Sequence, residues 1–309
     1  KQCFEVAPHL IGIEGHRLRE MLNHTAPRLR QGAVVVIDSR NGGVLALAGG
    51  RDYSSSQFNR ATLAQRQPGS TFKLFTYLAA LEQGIGPGEA LACGPLDWGG
   101  QHFASPCSGR ESLATAFAAS HNTPALRLAR RVGLEQVVQM ARRLGISSAL
   151  DPVPGLVLGQ SDVRLVELTA AYAAVANGGI WHAPTTIRQL DDGEQLRQQA
   201  QGAVNPGRQV VSAAVARQMR NLLRGVVLHG TGTAARLGGE EGGKTGTTNG
   251  GRDLLFVGSE PSRHWVIGIW LGNDDNSPTG LGSGLAAGLW SEIIRSAGQG
   301  SLSRGTTLR

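Results

Sequence analysis

The stretch "RQPGSTFKLFTYLAALEQG", residues 66–84, contains one of only three lysines in the chain. Pro68 and Gly69 precede its apolar run and Gly84 follows it, which predicts a buried helix over residues 70–83. The other lysines are Lys1 and Lys244, and every remaining basic residue is an arginine. An arginine keeps its proton inside a protein, whereas a buried lysine can lose it. A lysine at position 73 therefore indicates chemistry that needs a removable proton or a compact ammonium.

Composition limits the classes of protein that the chain can belong to. Its 309 residues are 40% hydrophobic, enough for a large core in one bilobal domain or two smaller ones. No apolar run is long enough to span a membrane. The net charge of +7 comes from scattered arginines without a nucleic-acid motif, so we predict no nucleic-acid partner. The first residue is a lysine without a signal-peptide pattern after it, which favours a piece of a longer protein.

The cysteines and histidines lack the spacing of metal ligands. Cys3, Cys93 and Cys107 form no C-x-x-C pair, and the eight histidines form no H-E-x-x-H motif. We therefore predict no metal and no other cofactor. Cys93 and Cys107 flank a loop with glycine and proline. They either pair in an oxidising compartment or remain buried thiols, and the sequence leaves both alternatives open.

Strand patterns occur at both ends of the chain and helical patterns occur between them. Residues 33–38 and 44–50 read as two strands joined by a turn, and residues 254–259 and 264–272 as two more. The short connections favour antiparallel pairing. A last helix is predicted over residues 283–298. This order indicates an α/β sheet unit whose two ends meet, with a helical insertion between them.

Three short motifs follow one another along this frame. They are Ser70-Thr71-Phe72-Lys73 (S-x-x-K), Ser120-His121-Asn122 (S-x-N) and Lys244-Thr245-Gly246 (K-T-G), the last followed by Thr247. Each motif alone is a weak signal. Their order on a predicted helix, loop and strand is far more specific, and both internal lysines fall within it.

The residue types suit nucleophilic catalysis. Residues three apart on a helix share a face, with Cβ atoms about 5–6 Å apart, so Lys73 can reach the Ser70 hydroxyl. A serine hydroxyl becomes a good nucleophile only when a base takes its proton. Burial and a second nearby cation, for which Lys244 is the candidate, both favour the neutral amine that such a base requires.

The other motif residues suit substrate handling. The Ser120 hydroxyl is a candidate proton relay, and the Asn122 amide can both donate to and accept from a peptide. The glycine-rich segment 242–251 gives a peptide room to lie along a strand edge. The N–H groups of Ser70 and Thr247 are candidate oxyanion-hole donors. Lys244 and the Thr245 and Thr247 hydroxyls suit a carboxylate.

The chain resembles the transpeptidase domain of class A penicillin-binding proteins over roughly residues 30–298. Beyond the three motifs, the resemblance is carried by "GGRDYSSSQFNRAT" (49–62), "VVLHGTGTAARL" (226–237), "LLFVG" (254–258) and "WLGNDDN" (270–276). It implies a five-stranded antiparallel sheet flanked by helices with an inserted all-α lobe, the penicillin-binding and β-lactamase-like fold. It also implies residues 31–298 as the domain, residues 1–30 as a linker remnant and residues 299–309 as a flexible tail.

The resemblance further implies the chemistry. Ser70 would form an acyl-enzyme from a peptidoglycan stem peptide ending in D-Ala-D-Ala, and an amine of a second stem would then form the cross-link, with carboxypeptidase activity as a side reaction. β-Lactams would acylate the same serine. By this carry-over Lys73 is the base, Ser120 the proton relay, and Asn122 a contact of both Lys73 and substrate. Lys244, Thr245, Gly246 and Thr247 would form the substrate-binding strand.

The resemblance also implies a place and partners. The expected location is the periplasm or the outer face of the cytoplasmic membrane. Contact with the membrane would come through an upstream anchor, and other cell-wall proteins are candidate partners. Class A proteins usually carry a glycosyltransferase domain upstream as well, and this sequence contains neither it nor the anchor.

Two alternatives share part of this pattern. A serine β-lactamase also uses S-x-x-K and K-T-G, but the deacylating glutamate of the class A type is not visible. Glu167 begins a run that reads as a structural helix. A penicillin-sensing domain would be acylated without transferring the acyl group to an amine. The lifetime of the penicilloyl adduct and the products from a donor stem and an acceptor amine distinguish the three.

Lys73→Arg should abolish acylation by a fluorescent penicillin and leave the fold intact, because the charge remains and the removable proton does not. Lys244→Arg should be milder, because the expected role of Lys244 is electrostatic. Gel fluorescence of the labelled chain measures both. Normal labelling of the Lys73 variant would contradict the assignment of the base.

Overall fold

The computed structural model describes residues 15–25, 29–186 and 206–299. Its centre is a five-stranded antiparallel sheet. The strands of this sheet are β1 (Gln31–Asp38), β2 (Val44–Ala48), β11 (Gly242–Thr247), β12 (Asp253–Glu260) and β13 (Trp265–Gly272). They lie in the order β11-β12-β13-β1-β2, so the early strand β1 pairs with the late strand β13, as the sequence indicated.

Eight short strands of two or three residues each lie between β2 and β11 in the described sequence. They form four two-stranded pairs outside the central sheet. They are β3 (Gln65–Arg66), β4 (Ala90–Ala92), β5 (Leu96–Trp98), β6 (Gln101–Phe103), β7 (Arg110–Ser112), β8 (Val163–Arg164), β9 (Ile180–Trp181) and β10 (Arg208–Gln209).

Eight α-helices lie in the described part of the chain. They are α1 (Gly15–Thr25), α2 (Lys73–Glu82), α3 (Leu113–Ala118), α4 (Asn122–Val132), α5 (Leu134–Arg143), α6 (Leu165–Ala176), α7 (Ala213–His229) and α8 (Gly284–Gln299). A 3₁₀ turn over Gly69–Phe72 leads directly into α2. Among the described residues, no helix has both the length and the apolar character needed to cross a bilayer.

Both faces of the sheet are buried, and the alternation of side chains along β1 shows how. Val34 and Val36 point into one apolar cluster, together with residues of α1 and α8. Val35 and Ile37 point into the other, together with residues of α2, α6 and α7. Successive side chains of a strand face opposite sides, so a strand that is apolar throughout requires a helical layer on each side. This arrangement is the five-stranded, helix-flanked fold that the resemblance implied.

Helix α1 lies within the segment that the sequence analysis assigned to a linker. Leu18 and Leu22 of this helix are fully buried in the cluster shared with α8 and β1. This part of residues 1–30 therefore packs against the sheet. Cys3 and the predicted tail, residues 300–309, lie outside the described residues, and the domain boundaries stay a prediction.

Helix α2 is buried along almost its whole length. Every residue from Lys73 to Leu81 is buried, and Phe72 stacks on Phe75 with 4.7 Å between ring centroids. Tyr77 packs on Phe117 of α3 at 4.6 Å. The helix that carries the first motif is thus enclosed on all sides, so its position is fixed by packing.

Glycines permit a close approach beneath the turn that carries Ser70. Gly159 has a φ of +79°, and a Cβ there would lie 2.3 Å from the carbonyl oxygen and 2.7 Å from the Cα of Gly69. A Cβ on Gly246 of β11 would lie 2.4 Å from the carbonyl oxygen of Pro68. No other residue type fits these contacts without moving the backbone that leads into Ser70.

Gly159→Ala should lower the free energy of unfolding by more than Gly84→Ala does. The two glycines have matched φ values of +79° and +80°, but nothing lies within 4 Å of a Cβ on Gly84. Left-handed strain of about 1–2 kcal/mol is common to both variants. Gly159→Ala alone must also displace Gly69, which adds about 1–3 kcal/mol of overpacking. If the two variants lose the same free energy of unfolding in urea titrations, the contact between residue 159 and Gly69 is not tight.

Candidate active site

The Lys73 amine is held by the turn that carries the second motif. Its Nζ lies 2.7 Å from the Ser120 carbonyl oxygen, 2.7 Å from Asn122 Oδ1 and 3.2 Å from the His121 carbonyl oxygen. Asn122 is the first residue of α4, so its side chain points back along the turn. Three acceptors match the three N–H bonds of a lysine ammonium.

Burial governs the charge of Lys73. The side chain is fully enclosed beneath α3 and α4. Desolvation, followed by repulsion from Lys244, lowers the pKa of Lys73 well below its ordinary value. Burial and the nearby Lys244 thus both act toward the neutral amine that a lysine base needs.

Lys244 approaches the same turn from the sheet. Its Nζ donates to Ser120 Oγ at 2.8 Å and to the Thr245 carbonyl oxygen at 3.2 Å, and it lies 5.7 Å from the centre of the Phe117 ring. Burial lowers the pKa of Lys244 to about 7. The charge on Lys244 in turn disfavours a charge on Lys73.

Ser120 bridges the two lysines in a strained conformation. Its φ is +60°, one of three positive values among the described non-glycine residues. Its carbonyl oxygen faces Lys73 and its hydroxyl faces Lys244. A left-handed serine costs energy that the surroundings must offset, and such residues cluster at functional sites. The second motif is thus the link between the helical part and the sheet.

Ser70 lies beside the open edge of the sheet. It is half-buried, and among the described residues no hydrogen bond joins its hydroxyl to Lys73 or to any other group. A Cβ on the preceding Gly69 would lie 3.1 Å from both the nitrogen and the carbonyl oxygen of Thr247. The turn that carries Ser70 therefore packs directly against the end of the third motif.

The pairing of β11 determines which backbone groups face this edge. Thr248 donates its N–H to the Asp253 carbonyl oxygen, and pairing alternates from there along the antiparallel strands. The N–H and carbonyl groups of Thr247 and Thr245 therefore point away from β12, toward the open side. Because β11 is an edge strand, these groups face an extended ligand, although the Thr245 carbonyl oxygen already accepts from Lys244 Nζ.

The remaining third-motif side chains have local partners. The Thr245 hydroxyl lies 2.5 Å from the Thr231 hydroxyl, which anchors it to the segment after α7. Gly246 allows the close approach to Pro68. The structure thus brings Lys73, Ser120, Asn122 and Lys244 into one hydrogen-bonded cluster.

Several acidic residues near the motifs have partners that the sequence did not indicate. Glu111 Oε1 lies 2.7 Å from His121 Nδ1, although His121 reads as a mere spacer in the sequence. Asp274 forms a bidentate pair with the buried Arg60, and Asp275 pairs with Arg30. Asp274 and Asp275 thus lie in a turn that is held by two arginines. The pairs with Arg30 and Arg60 join residues more than 200 positions apart, and no local pattern indicates them.

Cys93 and Cys107 are joined by a disulfide. Of the two alternatives that the sequence left open, the structure has the bridged form. The bond closes the loop between β4 and β7, which lies against the turn of the second motif.

Comparison with known proteins gives the same family as the sequence motifs. Residues 32–277 match the family described as penicillin binding protein transpeptidase domain. The chain therefore belongs to the penicillin-binding protein transpeptidase family. The chain is 33% identical over 306 residues to penicillin-binding protein 1A of Rickettsia conorii, covering 87% of this chain and 37% of that protein. It is 35% identical over 280 residues to penicillin-binding protein 1A of Aquifex aeolicus, covering 86% and 38%.

Solved structures agree with the sequence relatives. The penicillin-binding protein PonA1 from Mycobacterium tuberculosis aligns with a TM-score of 0.77 at 28% identity, covering 95% of this chain and 82% of that one. A structure of PonA1 in complex with penicillin V aligns with a TM-score of 0.75 at 29% identity, covering 95% and 84%. The chain spans little more than a third of the length of the curated relatives it matches.

The depressed pKa of Lys244 predicts a dependence of stability on pH. The unfolded chain holds this proton up to the ordinary pKa of 10.5, whereas the folded chain loses it at about 7. Between these values the unfolded state binds more protons, so stability rises with pH, by up to about 1.4 kcal/mol per pH unit for one proton. Lys244→Met should reduce the rise in the free energy of unfolding between pH 7 and pH 9. If the free energy of unfolding in urea rises equally with pH for the unmodified chain and for Lys244→Met, the lowered pKa of Lys244 is contradicted.

Proposed function

We propose that the chain is a serine D,D-transpeptidase that cross-links peptidoglycan stem peptides through an acyl-enzyme on Ser70. The observation that carries this proposal is the fully buried Lys73 amine, one helical turn from Ser70, with its pKa lowered by burial and by Lys244. Membership of the transpeptidase family supports the reaction class. The structures of related proteins support the ligand class, since one of them holds penicillin V.

Acylation begins with proton transfer from Ser70 to Lys73. A neutral amine has two N–H bonds and one lone pair, so it satisfies two of the three acceptors around Nζ and has the lone pair to take a proton. The Ser70 oxygen then attacks the carbonyl carbon between the two D-Ala residues of the donor stem. The new ammonium makes three hydrogen bonds, to Ser120, His121 and Asn122, that stabilise it as charge develops.

The leaving amine must gain a proton. Ser120 Oγ accepts from Lys244 and lies in the turn that holds Lys73, so its hydroxyl can pass a proton from the Lys73 ammonium toward the leaving nitrogen. When the C–N bond breaks, D-Ala departs and the acyl group remains on Ser70. An amine from a second stem then attacks this ester. That amine gives a proton to neutral Lys73, and Lys73 returns it to the Ser70 oxygen as the C–O bond of the ester breaks, which leaves a new amide and restores the serine hydroxyl.

The open edge of β11 suits binding of the donor. An extended stem peptide can pair with the outward N–H and carbonyl groups of Thr245 and Thr247. The N–H groups of Ser70 and Thr247 would then stabilise the oxyanion, each with an effect of about 3–4 kcal/mol. The terminal carboxylate would lie against Lys244, Thr245 and Thr247. Such a carboxylate would also favour the charged form of Lys244.

The alternatives have less support. Glu167, the acidic residue weighed as a deacylating base, hydrogen-bonds to Ser147 and Arg164 at 2.6 and 2.9 Å and so caps a loop. This engagement supports slow hydrolysis of the acyl-enzyme, unlike a β-lactamase. A sensor would be acylated equally well, and only product analysis separates it from a transpeptidase. Location at the periplasmic face of the membrane, an upstream anchor and other cell-wall partners follow from the family alone and belong to the same proposal.

The first test is intact-mass detection of a penicillin adduct. We expect one penicilloyl group on the peptide that contains Ser70, stable for many minutes, and none on Ser70→Ala. Incubation of the chain with a donor stem and an acceptor amine should then give a cross-linked peptide and free D-Ala. Hydrolysis of the adduct within seconds would favour a β-lactamase, and a stable adduct without cross-linked product would favour a sensor.

A further inference from the structure

The segment of residues 93–112, which contains the loop closed by the Cys93–Cys107 disulfide, contacts the turn of the second motif at two points. The His121 ring lies 2.7 Å from the carboxylate of Glu111. Thr123, fully buried, donates its hydroxyl to Ser105 at 3.0 Å. Ser105 lies within the disulfide-closed loop and Glu111 lies just after it on β7, so the two contacts bracket Asn122 from either side. We refer to residues 93–112 as the support loop.

The disulfide lies at the centre of these contacts. The Cys107 sulfur lies 3.3 Å from Ser105 Oγ and 3.8 Å from Glu111 Oε1. The loop is also joined across its base, because Cys93 N–H donates to the Gly109 carbonyl oxygen at 2.8 Å. The Cys107 sulfur thus contacts both residues of the segment that touch the turn, and the disulfide fixes its position.

The turn requires such support for a physical reason. Ser120 is held in a left-handed conformation, and the carbonyl oxygens of Ser120 and His121 must point at Lys73. Without contacts from outside, the turn can relax to an ordinary φ and withdraw these oxygens. The Glu111–His121 hydrogen bond fixes the residue that lies between the two motif side chains. A displacement of about 1 Å at a reacting group can cost 100-fold in rate.

We propose that Glu111 and His121 are positioning residues for acylation and that the disulfide makes their effect sensitive to redox conditions. The inference rests on the proposed function, because it concerns the rate at which Ser70 is acylated. A dithiol reductant transfers two electrons and two protons to the disulfide, breaks the S–S bond to give two thiols, and itself becomes a cyclic disulfide. Cys107 is then free to move from its contacts with Ser105 and Glu111, which weakens the support of the turn, while the hydrogen bonds from Lys73 and Lys244 remain.

The test compares Glu111→Ala with Asp97→Ala. Asp97 forms the same kind of pair within the same loop, 2.7 Å from His102 Nδ1, but both side chains are largely exposed. We expect Glu111→Ala to lower the first-order acylation rate with a fluorescent penicillin about tenfold or more, leaving the half-saturating concentration nearly unchanged. Asp97→Ala should have the same acylation rate and the same half-saturating concentration as the unmodified chain. Glu111→Gln, which keeps one hydrogen-bonding oxygen, should recover part of the rate.

The role of the disulfide is measured in the double variant Cys93→Ser/Cys107→Ser and in the unmodified chain reduced with dithiothreitol. Both should show the slower acylation, and adding Glu111→Ala to the double variant should lower the rate little further, because the two changes act through one contact. Reduced samples need a chelator, since ligand atoms of Cys93, Cys107, Glu111 and His121 lie within 4.8 Å of one another and free thiols there can capture metal.

The outcomes are separable. If the unmodified chain forms no adduct, the proposed function fails before any variant is compared. If it is acylated and Glu111→Ala reacts at the rate of Asp97→Ala, the positioning role is wrong. If Glu111→Ala is slow while reduction has no effect, the redox part is wrong. Circular-dichroism melting is run on every variant. If Glu111→Gln loses as much acylation rate and as much melting temperature as Glu111→Ala, the role of Glu111 is structural only.

Discussion

Two buried lysines that converge on one serine are the constraint on which the rest of the structure depends. Lys73 and Lys244 are both fully enclosed, and Ser120 receives a hydrogen bond from each. The free energy needed to bury two like charges is larger than the net free energy of unfolding of a typical domain. Loss of one proton therefore stabilises the buried pair. The helical part contributes Lys73 and the sheet contributes Lys244, and therefore assembly of the two parts shifts Lys73 toward its neutral form. Reactivity and folding are coupled at this point.

The sheet edge is the second determinant of the site. Gly69, Gly159 and Gly246 let three backbone segments meet where side chains would keep them apart. Ser70, the proposed nucleophile, therefore lies against an edge strand whose alternate N–H groups remain unpaired with the sheet. Tyr172 of α6 donates its hydroxyl to the Thr71 carbonyl oxygen at 2.8 Å and holds the same turn from the other side. These contacts hold the backbone of the turn close to the strand, as the proposed oxyanion hole requires.

Much of the fold and the main side chains of the site follow from the sequence. Continuous apolar strands at both ends, a buried helix after Pro68-Gly69, and three ordered motifs are local patterns, and each depends on residues close together in the chain. The use of lysine at only three positions separated Lys73 and Lys244 from a background of arginines. The sequence did not predict the helix over residues 15–25, because its apolar face is short and its burial depends on the distant helix α8.

What the tertiary structure alone decided is which groups touch. Sequence spacing places Lys73 one turn after Ser70, but only packing of α2 beneath α3 and α4 directs its amine to Ser120, His121 and Asn122. The choice between a disulfide and two thiols at Cys93 and Cys107 likewise required their Cα atoms to be 5.3 Å apart. Glu111 acquires its contact with His121 in the same way. The physical reason is that hydrogen bonds and desolvation depend on distances between distant parts of the chain, whereas residue type and periodicity are local properties.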